Sequence, residues 1–444
     1  MIVIYHKNNN VVSVFDSDKN QELIHTSSNL SLAVYEQAKA NPNSVLVWCH
    51  IDNKNFIDLD YILSQYSGTT NMMLSFSKND FMSNKIGYVE ASPFLKVNKA
   101  VKYPTWLMSS LIGAMPSQSI LVFKDILKSN TDFVYQLNAI AKIGMSKGLL
   151  CYSDPKLLLE GFPKQMEKEI SDIAFFKFVK QYYKWIWVYL LFFNILIFDK
   201  QFFVTPFFLS LFKRRETKEL YFKTKKVLNL NSNLLITYDV IIPTLGRVKH
   251  LLNVLRDLSH QTLLPLNVII IEQNDIEGSI SELSYIKDEN WPFIIKHQFI
   301  KQTGACNARN LALKKVTSNY VFFADDDIRF DKNVLEKSLG FMNSNKFKAI
   351  TLSCILKRGK EVFPVPIQWT SFGAGCSIVD SSVLNTIQFN MAFEHGFGED
   401  SDFGAQLRKM GVDIIYYPGV TLNHIKAPIG GFRTSFKHPW EKGE

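Results

Sequence analysis

The run Tyr320-Val-Phe-Phe-Ala-Asp-Asp-Asp327 joins five apolar or aromatic residues to three consecutive acids. A short apolar run of this kind, bounded by polar residues, reads as a buried strand. Three adjacent carboxylates at its end repel one another in a partly buried site, and without a cation some are pushed toward protonation. Asp325 and Asp327, two apart, are spaced to offer oxygen ligands to a divalent ion. The competing reading is a turn whose acids sit in solvent.

Working outward, the same alternation recurs on both sides. Asp239-Val-Ile-Ile-Pro243 reads as a buried strand, Arg247 to Leu258 as a helix, Asn267 to Ile271 as a strand and Asn307 to Val316 as a helix. Strands alternating with helices imply an α/β fold with a mostly parallel sheet flanked by helices. Such sheets bind ligands at the carboxyl ends of their strands.

The polar residues at those ends form an ordered set. Pro243-Thr-Leu-Gly-Arg247 follows the first strand, and Glu272 follows the second. Gly304-Ala-Cys-Asn-Ala-Arg309 opens a helix whose backbone N–H groups, with Arg309, suit a diphosphate. Downstream, Gly373-Ala-Gly375 reads as a tight loop over an acceptor. Glu399 and Asp400 precede a helix spanning Ser401 to Met410, where they are candidate bases or first-turn charges complementing the helix dipole. His424, after a strand from Val412 to Tyr417, is a candidate metal ligand or a structural histidine.

With these motifs in order, residues 237 to about 432 resemble the family 2 glycosyltransferases of the GT-A fold. The resemblance implies that Pro243, Thr244 and Glu272 contact the nucleoside of a nucleotide-sugar donor. It also implies that Arg309 lies on the donor's diphosphate side, that Arg247 and Asp325 belong to the donor site, and that Asp325 and Asp327 hold Mg2+ or Mn2+ with His424 closing the site. Asp400, beside Glu399, would be the base in a displacement that inverts the anomeric centre. Gly246 and Glu272 stand where the family usually shows Asn and Asp. The Gln-x-x-Arg-Trp motif of processive synthases is absent, and Gly430-Gly-Phe-Arg433 is the candidate to bring an Arg to the phosphates. A single-addition enzyme is therefore expected, acting on a glycan or lipid-linked acceptor in surface polysaccharide synthesis. The alternatives are a metal-dependent nucleotidyltransferase and a noncatalytic carbohydrate-binding or scaffold protein.

A chain of 444 residues exceeds the size at which one hydrophobic core stops growing. The expected division is an α/β domain over 1–160, a hydrophobic segment over 161–230 and the catalytic domain over 231–444. The first domain echoes the last: Asp132-Phe-Val-Tyr-Gln-Leu137 resembles Asp402-Phe-Gly-Ala-Gln-Leu407, and Trp106 to Val122 resembles Trp369 to Leu384. Ser31 to Asp52 parallels Arg309 to Asp327, with Cys49-His50-Ile51 where the three aspartates stand. These echoes predict a degenerate, noncatalytic GT-A-like domain, set against two unrelated α/β domains.

In the middle segment, two aromatic arms, Trp185 to Phe198 and Phe202 to Phe212, flank Asp199-Lys-Gln201 and end on Lys213-Arg-Arg215. Neither reaches the roughly 20 residues a spanning helix needs. The readings are a helical hairpin in the membrane interface, a buried interdomain helix pair, or one span carrying Asp199 and Lys200. The excess of nine basic residues suits an anionic partner. Nucleic acid is set aside, because no zinc-ligand spacing, RNA-binding signature or basic helix with interleaved aromatics appears. Five scattered cysteines without a Cys-x-x-Cys pair read as free thiols, and the amino terminus lacks signal-peptide features. The expected location is cytoplasmic, at the inner face of the cell membrane, with peripheral membrane association.

Overall fold

The computed structural model describes residues 1–427 apart from 68–70, 130, 164, 217–221, 223–235, 357–358, 360 and 362, so Gly430 to Arg433 lies outside the described residues. The chain divides into two compact units, Met1–Lys225 and Lys226–Glu444. Both are α/β.

The first unit contains strands β1 (Ile2–Lys7), β2 (Asn10–Asp16), β3 (Gln21–Leu23), β4 (Val45–His50), β5 (Met72–Ser75), β6 (Tyr103–Pro104), β7 (Ile112–Pro116) and β8 (Leu150–Ser153) in the order β3-β2-β1-β4-β7-β5-β8-β6. Asn8 and Asn9, both at positive φ, close the β1–β2 hairpin with the backbone that favours Asn in two-residue turns. Helix α1 (Leu30–Ala40) starts where the Asn29 side chain accepts from the Leu32 N–H, and α2 (Phe133–Met145) is buried along most of its length. Gly113 is fixed by packing. A Cβ there would sit 2.3 Å from the Trp48 ring.

The stretch expected to stand apart as residues 161–230 belongs, where described, to this unit. Helices α3 (Asp172–Tyr182), α4 (Ile186–Asn194) and α5 (Val204–Leu211) send Phe175, Phe176, Phe178, Val188, Leu191 and Phe207 into the core that holds Trp48 and Trp106. The Trp106 and Phe178 rings stack at 5.7 Å. Burying each such side chain stabilises the unit by about 2 kcal/mol, which is why the boundary falls after these helices. A π-helical turn over Ile195–Asp199 and left-handed Lys200 separate α4 from α5 at the polar break. No described helix is long and apolar enough to cross a membrane.

The second unit contains β9 (Tyr238–Thr244), β10 (Asn267–Gln273), β11 (Ile294–Ile300), β12 (Tyr320–Ala324), β13 (Ile328–Phe330), β14 (Ala349–Leu356), β15 (Ile367–Gln368), β16 (Cys376–Asp380) and β17 (Ile415–His424). Their order is β11-β10-β9-β12-β16-β14-β17-β13, with β15 also on β17. The strands β11-β10-β9-β12 run parallel, and β16 is inserted antiparallel between β12 and β14. Strands β9 and β10 are buried at every residue, as parallel strands covered on both faces require. Helix α6 (Val248–Ser259) packs Leu251, Val254, Leu255 and Leu258, an i, i+3, i+4, i+7 stripe. Helices α7 (Ala305–Leu313), α8 (Val334–Asn345) and α9 (Glu399–Lys409) follow.

One topology recurs. The path β1-β4-β7-β5-β8-β6 of the first sheet and β9-β12-β16-β14-β17-β15 of the second agree in order and in parallel or antiparallel sense at every step. Pairing aligns Cys49 with Ala324, since Cys49 faces Ile112 and Ala324 faces Cys376 at the same ladder step. His50-Ile51-Asp52, one residue later than the echo suggested, therefore stands level with Asp325-Asp326-Asp327. Thr105, not Trp106, is level with Trp369 by the same register.

Candidate active site

The three aspartates leave the carboxyl end of β12 and turn into β13, which pairs with β17 so that Ile328 faces His424. That pairing brings His424 Nε2 to 3.2 Å from Asp327 Oδ1. The N–H groups of Ala427 and Ile425 donate to Asp327 Oδ2 and to its backbone carbonyl at 2.8 and 2.9 Å. Burial raises the Asp327 pKa, but the hydrogen bonds from His424 and Ala427 and the Arg247 charge prevail and hold it at about 2. The same contact with Asp327 raises His424.

Asp326 points elsewhere. Its carboxylate accepts from the Thr244 hydroxyl at 2.7 Å and from Arg247 Nη1 at 2.9 Å. Burial nevertheless pushes it up to about 6. Gly246, at φ 65°, lets the chain turn between β9 and α6 so that Arg247 comes back over the acids. Arg247 also reaches Asp327 at 3.2 Å.

On the other flank, Arg309 projects from α7 with Nη2 3.2 Å from Asp325 Oδ1 and its guanidinium over the Phe389 ring at 5.3 Å. Gly373-Ala-Gly375 runs against Asp325: a Cβ on Gly375 would lie 2.1 Å from Asp325 Oδ2, so any larger residue would displace that carboxylate. Helix α9 begins two residues earlier than expected, which puts Glu399 and Asp400 in its first turn. Asp400 accepts from the Ala374 N–H, and its Oδ1 is buried without a hydrogen-bond partner among the described residues. Burial first, then the charges of Glu399 and Asp325, raise it to about 6 against the pull of Arg309. A carboxyl held near that value is matched to proton transfer around neutral pH.

Ligand atoms of Asp325, Asp327 and His424 all lie within 4.8 Å of one another. Two carboxylates and one imidazole form a donor set that fits a small divalent cation. The fit is local to the acids that flank Asp326.

Two expectations need adjustment. The opening N–H groups of α7 do not face open space, because the Glu394 carboxylate accepts from Cys306 N at 2.9 Å and from Asn307 N at 3.3 Å. Gly304, at φ 136°, makes room for it. A carboxylate thus occupies the helix end expected to favour a diphosphate. Glu272, at the end of β10 and level with Thr244, already accepts from Ser281 Oγ at 2.5 Å, Glu282 N at 2.9 Å and His297 Nε2 at 2.8 Å. Pro243 lies beside Ile271 at the same sheet end. Glu394, His297 and the clamp on Asp326 carried no local sequence signal, since their partners are 88, 25 and about 80 residues away.

Residues 239–410 match the family model described as glycosyl transferase family 2. An uncharacterized glycosyltransferase of Rickettsia bellii (strain RML369-C) is 36% identical over 111 residues, covering 24% of this chain and 15% of that protein. A second, from Rickettsia conorii (strain ATCC VR-613 / Malish 7), is 34% identical over 111 residues, covering 24% and 18%. The chain therefore spans under a fifth of the length of these curated relatives. Among solved structures, S. aureus TarS 1-349 in complex with UDP-GlcNAc is similar at 17% identity and a TM-score of 0.38, covering 47% of this chain and 63% of that one. The mannosyltransferase PcManGT from Pyrobaculum calidifontis, in complex with GDP-Man and Mn2+, is similar at 16% identity and a TM-score of 0.34, covering 44% and 58%. Residues 239–410 of this chain, which carry the acids, Arg247, Arg309 and Asp400, are a family 2 glycosyltransferase domain.

Proposed function

We propose that the second unit transfers a sugar from a nucleotide-diphosphate donor to a hydroxyl of a glycan or lipid-linked acceptor, with inversion at the anomeric carbon. The observation that carries this reading is the pairing of the Asp325, Asp327 and His424 cluster with Asp400, a buried carboxyl raised to about 6 whose Oδ1 has no partner among the described residues. Asp400 accepts the acceptor's hydroxyl proton as that oxygen attacks the anomeric carbon and the bond to the diphosphate breaks. Arg309, held between Asp325 and Phe389, offers positive charge on the diphosphate side. Mg2+ or Mn2+ at Asp325, Asp327 and His424 would neutralise charge on the leaving diphosphate. Glu399, buried in the first turn of α9, helps hold Asp400 in its raised state. Pro243, Thr244 and Glu272, at the ends of β9 and β10, form the floor for the nucleoside; Thr244 and Glu272 shape it while bonded to Asp326 and His297. Arg247 keeps Asp326 and Asp327 apart from one another's repulsion. Incubation with labelled nucleotide sugars and Mn2+ tests the reading: nucleoside diphosphate should appear, and pyrophosphate release would instead support a nucleotidyltransferase.

The first unit is read as the same topology without a donor site of its own. The shared strand path supports this, as does His50 in the position of Asp325. Helices α4 and α5 are read as a membrane-interfacial hairpin. Trp185, Phe198, Phe202 and Phe212 are 62%, 68%, 77% and 86% exposed on the side away from the core. Soluble surfaces rarely leave so much aromatic area open, and Lys184, Lys200, Arg214 and Arg215 beside it suit anionic headgroups. An acceptor made at the membrane, such as a surface-polysaccharide intermediate, fits a protein attached there.

A further inference from the structure

The first unit carries a cleft of about 950 Å3 where the carboxyl ends of β1 and β4, the segment leading into β7 and the amino terminus of α2 converge. His6, His50, Ser110, Asp132, Tyr135 and Glu167 are among its walls. In the second unit the same positions of the fold hold the reaction site: the ends of β9 and β12, the loop before β16 and the first turn of α9. Backbone hydrogen bonds mark the equivalence. The His50 N–H donates to Leu111 O at 2.8 Å and the Asp325 N–H to Gly375 O at 3.2 Å; the Thr105 N–H donates to Cys151 O and the Trp369 N–H to Ile414 O.

What differs decides the ligand. Beyond β9 the second sheet continues into parallel β10 and β11, whereas beyond β1 the first continues into the antiparallel ribbon β2–β3. Of the strand ends assigned to the nucleoside, that of β9 corresponds to β1, whereas that of β10, which carries Glu272, has no counterpart. Of the metal-binding acids only Asp327 has a counterpart, the half-exposed Asp52; His50 replaces Asp325, and the buried Glu167 carboxylate is committed to Ser109 Oγ at 2.7 Å and to Ser110 N and Oγ at 2.8 Å. The cleft's charges balance, with Asp132, Glu167 and Glu169 against Lys168, Lys177 and Lys213, three against three. A diphosphate needs an excess of positive charge, and a greasy ligand needs apolar walls. The walls instead interleave amide and hydroxyl groups (Asn8, Asn9, Thr131, Gln165) with apolar side chains, of which Met166 and Ile173 are exposed.

We propose that this cleft binds an uncharged, hydroxyl-rich saccharide, as a noncatalytic site for the glycan on which the second unit acts. Only the last clause rests on the glycosyltransferase reading; saccharide binding by the first unit stands separately. Amides and hydroxyls pair with sugar hydroxyls, and exposed apolar side chains such as Met166 and Ile173 take the apolar side of a pyranose ring. The fold equivalence supports a sugar site here, because the cleft keeps the β1 and β4 ends and the amino terminus of α2 and lacks a counterpart to β10.

The test is calorimetric titration of the full chain with maltohexaose, cellohexaose and chitohexaose, and separately with UDP or GDP plus Mn2+. At least one hexasaccharide should bind with a millimolar or lower Kd. Ala174→Trp, which adds an indole to the cleft wall, and Asp132→Ala, at an exposed wall position, should each weaken that binding at least tenfold and leave nucleotide binding unchanged. Asp327→Ala should show the opposite pattern. Two variants of different kinds guard against one that misfolds. The proposal is overturned if no hexasaccharide binds, if binding ignores both cleft variants, or if Asp327→Ala abolishes it. Saccharide binding without nucleotide binding would leave the cleft standing and remove the assignment of the second unit.

Discussion

Arg247 Nη1 lies 2.9 Å from Asp326 Oδ1, so the middle aspartate of the triad is tied to the residue that follows β9 and not turned toward a ligand. Both side chains are largely buried, and removing one partner leaves the other charge uncompensated. Arg247→Ala should destabilise the second unit by about 3 kcal/mol, read as a lowered urea midpoint. Asp326→Asn, which keeps the Thr244 contact and sheds a carboxyl already raised to about 6, should cost less. An Asp326→Asn loss as large as that of Arg247→Ala would instead show that the Asp326 charge is needed in full, against its raised pKa.

Asp400→Asn should abolish transfer while donor affinity stays within about threefold, because the base proposed there would act on the acceptor. The base must be unprotonated. With its pKa at about 6, kcat/KM should climb as pH rises through 6 and level off above 7. A flat profile between pH 5 and 7.5 would remove Asp400 from that role.

Asp327→Ala should weaken metal-dependent nucleotide binding by at least tenfold, as loss of one of two carboxylate ligands implies. Titration of nucleotide with and without Mn2+ reads this directly. An unchanged affinity takes Asp327 off the ligand set.

His6 gives a stability prediction for the first unit. Burial foremost, with help from His50, lowers its pKa to about 4, while the Ser110 carbonyl works the other way. The unfolded chain takes up this proton near pH 6.5, and the folded chain resists until about pH 4. The folded state is therefore penalised progressively as pH falls from 6.5 to 4, by up to about 3 kcal/mol, and unaffected above 7. Urea melts at pH 7 and pH 5 should show His6→Gln losing less stability than wild type over that interval; parallel losses would contradict the linkage.

If the exposed face of α4 and α5 meets a bilayer, flotation with vesicles containing anionic lipid should carry the wild-type chain upward. Replacing Phe198 and Phe202 with Ser should cut the bound fraction several-fold, since each exposed ring contributes transferable apolar area. Equal flotation of the two proteins would point to another surface.

The legible parts of this molecule were those set by local pattern. Tyr320 to Ala324 reads as a strand and is one, and the acids after it, with His424, gather because β13 doubles back onto β17. Apolar runs on β9, β10 and α6 were equally plain. Residues 161–230 misled because aromatic richness does not say which face is covered: Phe176 and Phe207 turn to the core while Phe202 and Phe208 turn out. The Glu394 cap on α7 and the Thr244 and Arg247 hold on Asp326 join residues far apart in the chain, and nothing in spacing foretells them. The echo between halves was visible in sequence but one residue out of register at the acids, and only strand pairing corrected it.

Residues 239–410 are proposed to move a sugar from a nucleotide donor. The most direct measurement of this transfer is turnover of a panel of radiolabelled nucleotide sugars with Mn2+, comparing the wild-type chain with Asp400→Asn. The predicted result is release of nucleoside diphosphate, with label passed to an acceptor, by the wild type alone. Pyrophosphate as the released product, or equal turnover by Asp400→Asn, would contradict it.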